Sequence, residues 1–77
     1  MTGDLKDALD RLEAGDWEGA HALAQDDTSA AGAWLHAHLH RVEGDAANAG
    51  YWYRRAGRAP FEGSEDEERA ALRASLP

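Results

Sequence analysis

The dipeptide Gly15-Asp16 recurs as Gly44-Asp45, 29 residues downstream, and each copy interrupts a helical pattern. Glycine enters the left-handed backbone conformation without a side-chain penalty and so ends a helix, while the aspartate after it offers an oxygen to cap the next one. Two such junctions in one short chain predict two helical hairpins in tandem. At the same offset Gly3 pairs with Gly32, Ala8 with Ala37 and Ala20 with Ala49. Small residues thus recur where packed helices must approach closely.

The segments between the junctions carry the 3.6-residue period. Leu5, Ala8, Leu9 and Leu12 form the stripe of a first helix over residues 4–14, with Thr2, Gly3 or Asp4 as its cap and Gly15 as its stop. Asp16 caps a second helix over 17–25, which shows Trp17, Ala20, Leu23 and Ala24 on one side. Thr28 or Ser29 caps a third, over 30–43, in which Ala31, Leu35, His38, Leu39 and Val42 cluster, Trp34 flanks them, and His36, His40 and Glu43 make a separate stripe. A fourth helix over 46–57 gathers Ala49, Trp52, Tyr53 and Ala56, leaving Tyr51 with Asn48 and Arg55. Pro60 and Gly63 open a linker. Ser64 and Glu67 then match a capping box, with four acids in the first turn where the helix dipole favours them, and a fifth helix runs to about Ser75. The expectation is an all-α single domain over 1–77, with hairpins at 4–25 and 30–57 and a C-terminal capping helix at 64–76.

Seventy-seven residues without a cysteine give a small core and no disulfide or thiolate framework, so burial of the three tryptophans, two tyrosines and one phenylalanine has to stabilise the fold, or a second copy has to help. A formal charge of −7 disfavours the phosphate contacts on which nucleic-acid affinity depends. The acidic, polar start and the lack of any run of 18 apolar residues argue against a signal peptide and a membrane span, leaving a cytoplasmic protein as the expectation.

One constellation has metal-ligand spacing. His36 and His40 stand four apart on a helix, about 5–6 Å between Cβ atoms, with Glu43 one turn further and His21 on the neighbouring helix as a third or fourth ligand. Ala37 follows His36 where a helical metalloprotease needs a glutamate, so peptide hydrolysis gains no support. The competing reading packs both histidines into the seam between helices three and four, bonded to Asn48, Tyr51 or backbone. Arg54, Arg55 and Arg58, with Arg41 near, form the basic cluster of an acidic chain. They suit either an anion or their own acidic neighbours Glu43, Asp45 and the start of helix five. Gly19, Gly32 and Gly50 fall in helical patterns and suit close helix approach, Gly50 against helix three in particular; the competing reading is a frayed start at Gly32 and tolerance at the other two.

From Gly44 onward, the spacing Gly-Asp, Ala49, Tyr53, Ala56 resembles the second half of a tetratricopeptide repeat. The first hairpin follows through Gly15, Asp16, Trp17 and Ala20 but has Ala24 where the family carries a large aromatic, and the period is 29, not 34. His36 and His40 depart from the same pattern. The string HLHRVEGDAANAGYWYRRAGR also resembles a set of short bacterial proteins of uncharacterised function. The repeat resemblance implies a hairpin stack acting through protein–protein contact, without catalysis, by capture of a partner or by homo-oligomerisation, with Tyr51, Arg54, Arg55 and Trp34 as the contact surface. The alternative is a protein binding zinc or another divalent transition metal through His36, His40, Glu43 and His21.

Overall fold

Five α-helices make up the computed structural model, which describes residues 3–76: α1 (Gly3–Glu13), α2 (Trp17–Asp26), α3 (Ala30–Glu43), α4 (Ala46–Arg55) and α5 (Glu65–Ser75). No strand occurs among the described residues. Thr2, one of the expected caps of α1, lies outside them.

The junctions work as their residues dictate. Gly15 and Gly44 take φ of 90° and 89°, and the Asp16 and Asp45 side chains accept hydrogen bonds from Gly19 N and Asn48 N. Ser29 is the cap of α3 and accepts from Gly32 N. Ser64 and Glu67 complete the capping box of α5. The fourth helix ends two residues earlier than its pattern suggested. Ala56 is its cap, and Gly57, at φ 75°, stops the chain instead of continuing it.

α1 packs on α2 and α3 on α4, while α3 also touches α2 and α5 and forms the centre of the molecule. Every residue from Gly32 to His40 is buried. The apolar core draws on Leu5 and Leu9 of α1, Ala20 and Ala24 of α2, Leu35, Ala37 and Leu39 of α3, Ala49 and Tyr53 of α4, and Leu72 of α5. Trp17 Nε1 donates to the Leu39 carbonyl at 2.8 Å and fixes the start of α2 against α3. Arg73 of α5 reaches Asp10 at 2.8 Å and Glu13 at 3.0 Å on α1. These exposed pairs contribute little energy but close the ring of elements.

Of the glycines expected to serve close approach, Gly32 does so and Gly50, singled out for helix three, does not. A Cβ on Gly32 would lie 2.6 Å from the Asp27 carbonyl oxygen, whereas one on Gly50 would meet only Arg54 Nη1 at 3.6 Å. Gly32 is therefore a buried packing residue, and α3 is capped at Ser29 instead of fraying there.

Candidate functional site

α3 carries two polar clusters, one on each side. The first faces α2 and α4. Successive turns of α3 bring His36 and His40 onto one face, and α2 places His21 against them. The His21 and His36 Nε2 atoms are 3.0 Å apart. Ring centres lie 4.6 Å apart for His21 and His36, 4.9 Å for His36 and His40, and 5.5 Å for His21 and His40. One nitrogen from each of the three imidazoles falls within 4.8 Å of the others. Trp17 stacks on His21 at 4.9 Å, and Trp52 stacks on His36 at 3.8 Å. Two indoles thus hold two of the three rings in place.

Glu43 does not join the three nitrogens. Its carboxylate instead accepts from His40 Nδ1 at 2.7 Å, which leaves His40 Nε2 as the nitrogen with a free lone pair. Asp45 lies beside this pair, close enough that His40, Glu43 and Asp45 form a second convergent group. The seam partners expected for the histidines are different here: Trp52 and Glu43 take the places foreseen for Tyr51 and Asn48.

Two of the three rings are held toward the neutral form. Burial, then repulsion from His21 and His40, lowers the pKa of His36 to about 4. Burial, then His40, also lowers that of His21. His36 Nδ1 is sealed from water and has no hydrogen-bond partner. An unsatisfied buried nitrogen costs about 1–3 kcal/mol, so its retention calls for a compensating role.

The second cluster surrounds Glu68 of α5, a fully buried carboxylate. Oε1 accepts from His38 Nδ1 at 2.6 Å and Arg41 Nη1 at 3.1 Å; Oε2 accepts from Trp34 Nε1 at 3.0 Å and the Tyr53 hydroxyl at 2.5 Å. Arg69 Nη1 approaches His38 Nε2 at 3.4 Å, and a guanidinium can only donate, so the proton of His38 belongs on Nδ1. Burial would raise the carboxyl pKa, but the bonds from His38, Tyr53 and Trp34 outweigh it and hold the group down at about 2. Burial, then the bond to Glu68, pushes the Tyr53 phenol up. Arg41 also donates to the Gly63 carbonyl and so ties the linker to α3.

Sequence reasoning read Glu68 as one more acid favoured by the helix dipole. The overlooked signal was its position three and four residues before Ala71 and Leu72, on the apolar stripe of α5. Trp34, expected on a contact surface, is only 7% exposed and serves the Glu68 network. Arg41 likewise leaves the basic cluster for Glu68. Arg58 lies over the Trp34 ring at 3.5 Å and Arg55 over the Trp52 ring at 5.4 Å. Among the described residues Arg54, Arg55 and Arg58 form no ion pair with the acids foreseen as their partners. Tyr51 is 43% exposed and accepts from Arg55 Nη1 at 3.0 Å. No described helix is long and apolar enough to cross a membrane. Comparison of the chain with protein-family models, curated proteins and solved structures finds no match.

Proposed function

We propose that this chain binds one divalent transition-metal ion through His21, His36 and His40, with Glu43 as the carboxylate that orients His40. The convergence of three imidazole nitrogens carries the reading. With metal–nitrogen bonds of about 2.0–2.1 Å in tetrahedral geometry, ligand nitrogens sit about 3.3 Å apart and ring centres about 5.2 Å apart. The 3.0 Å nitrogen pair and ring spacings of 4.6, 4.9 and 5.5 Å lie close to those values. The His40–Glu43 bond supports the assignment, because a carboxylate on Nδ1–H fixes the tautomer and strengthens Nε2 as a donor. All-imidazole ligation suits zinc, copper or nickel over calcium or magnesium.

His36 has no such outer partner, and missing outer partners typically weaken metal affinity by about 10–100-fold. The site therefore suits a moderate binder whose metal can be removed and restored. The test is zinc titration by calorimetry on tag-free, chelator-stripped protein, with elemental analysis after desalting. One equivalent per chain in the wild type, lost in His36→Ala plus His40→Ala, is the expected result. Zinc bound equally by that double variant would refute the site.

A second reading, protein contact through the outer face of α4, draws on Tyr51 as the exposed large side chain beside Arg55. Light scattering on wild type and Tyr51→Ala checks it: a monomeric mass for both, with no partner lost, would leave the face without a role.

A further inference from the structure

A structural zinc site is closed by four protein ligands, whereas one that handles substrates keeps a position open. The histidine cluster supplies three nitrogens. The nearest further carboxylate, Glu43, is already engaged by its Oε2 with His40 Nδ1 and falls outside the convergent group of His21, His36 and His40. Asp45 converges with His40 and Glu43 but not with all three nitrogens, and among the described residues no other side chain of metal-ligating type joins the trio. The closed side of the site is defined by His36, whose ring lies under Trp52 and whose Nδ1 is sealed. On the opposite side His21 is only half-buried and Glu43 is exposed. Among the described residues His40 Nε2 makes no hydrogen bond, while the His40 side chain as a whole is buried.

Taking the metal-binding reading as its basis, we infer that the ion keeps one coordination position open toward the His21 and Glu43 side, filled by water or a small monodentate anion. Three neutral imidazoles leave the full 2+ charge of the ion uncompensated, and that favours an anion over a neutral ligand. The approach is flanked by Trp17, stacked on His21, and by the Glu43 carboxylate. A bulky or polyanionic ligand would meet both, so the class that fits is compact and singly charged: hydroxide, azide, thiocyanate or a small carboxylate.

Cobalt(II) makes the position visible, since four- and five-coordinate cobalt differ in visible absorption. The tag-free protein is stripped, loaded with one equivalent of cobalt and titrated with sodium azide and then sodium thiocyanate. A saturable change in the visible bands, with the cobalt still bound after desalting, is the expected result. An anion-insensitive spectrum in the wild type would overturn the open position. If Glu43→Ala then becomes sensitive, Glu43 itself is the fourth ligand and the site is closed. Failure to retain cobalt at all would overturn the underlying metal reading, and calorimetry with zinc reports that separately.

Discussion

Replacing Glu68 by glutamine keeps the shape of the side chain and removes its charge, and the structure fixes what that costs. The carboxylate has four donors aimed at it, two per oxygen. A glutamine has one carbonyl oxygen and one NH2 group, so whichever way it is turned two donors face an NH2. Tyr53 can rotate its hydroxyl to accept and Arg41 can turn toward solvent, but either Trp34 Nε1–H or His38 Nδ1–H is left buried and unpaired, at about 1–3 kcal/mol. Linkage gives an independent figure. The folded-state pKa is about 2 against 4.5 for the free group, a difference of about 3 kcal/mol at neutral pH. The folded value is the lower one, so this stabilisation is fully present above pH 4.5 and is lost as pH falls toward 2. Glutamine does not titrate. Glu68→Gln should therefore be about 3 kcal/mol less stable than the wild type at pH 7, a Tm lower by roughly 10–25 °C. By pH 3 about three-fifths of that gap should have closed, because protonated Glu68 and glutamine are nearly isosteric. The assay is urea unfolding followed by far-UV circular dichroism in chelator from pH 7 to pH 3. A gap that stays constant with pH would refute the electrostatic reasoning and leave a packing effect. A gap below about 1 kcal/mol at pH 7 would refute the network itself.

The same chelated protein should lose a further increment of about 3 kcal/mol as pH falls from 6.5 to about 4, since His36 binds a proton more weakly folded than unfolded. His36→Leu should flatten that part of the stability curve and leave the Glu68 part intact. With zinc present, retention on acidification should persist below the pH at which ordinary imidazoles release metal, because His21 and His36 are both lowered from 6.5; dialysis at stepped pH with elemental analysis reads this out. Gly32→Ala should destabilise by about 1–3 kcal/mol by forcing the Asp27 backbone away. Gly50→Ala should stabilise by about 0.5–1 kcal/mol, because it adds a helix former whose Cβ would meet only Arg54 Nη1 at an ordinary contact of 3.6 Å; thermal melts of the pair decide whether the glycines have these different roles.

The helical framework was legible because its signals are local. Gly15, Asp16, Ser29, Gly44, Asp45 and Ser64 each act on a neighbouring backbone group, so their effect follows from residue type and spacing. The same local logic identified the His36–His40 stripe. Whether His21 would meet that stripe was not legible, because it depends on how far α2 slides along α3, and that is set by Ala20, Ala24 and the Trp17 bond to Leu39. Glu68 and Trp34 were misplaced for a related reason. A helical wheel ranks residues by hydropathy, so it cannot see that an acid and an indole 34 positions apart satisfy one another in the interior. That Gly32 and not Gly50 is the tightly packed one rests likewise on a distant group, the Asp27 carbonyl across a loop.

The two polar clusters also explain how so modest a core holds a defined site. Among the described residues six of the thirteen buried apolar side chains are alanines, which lets the helices approach closely but buries little hydrocarbon and does little to fix the rotation of one helix against another. Directional bonds provide that restriction. Trp34, His38 and Arg41, on three turns of α3, all end on one carboxylate of α5, and Tyr53 brings α4 to the same point. A rotation of α3 about its axis by one residue would move all three donors off Glu68 at once and bury an uncompensated charge, a penalty of several kcal/mol. The same rotation would turn His36 and His40 away from His21. The Glu68 network, whose hydrogen bonds involve none of the three proposed ligands, therefore helps to hold two of them facing α2.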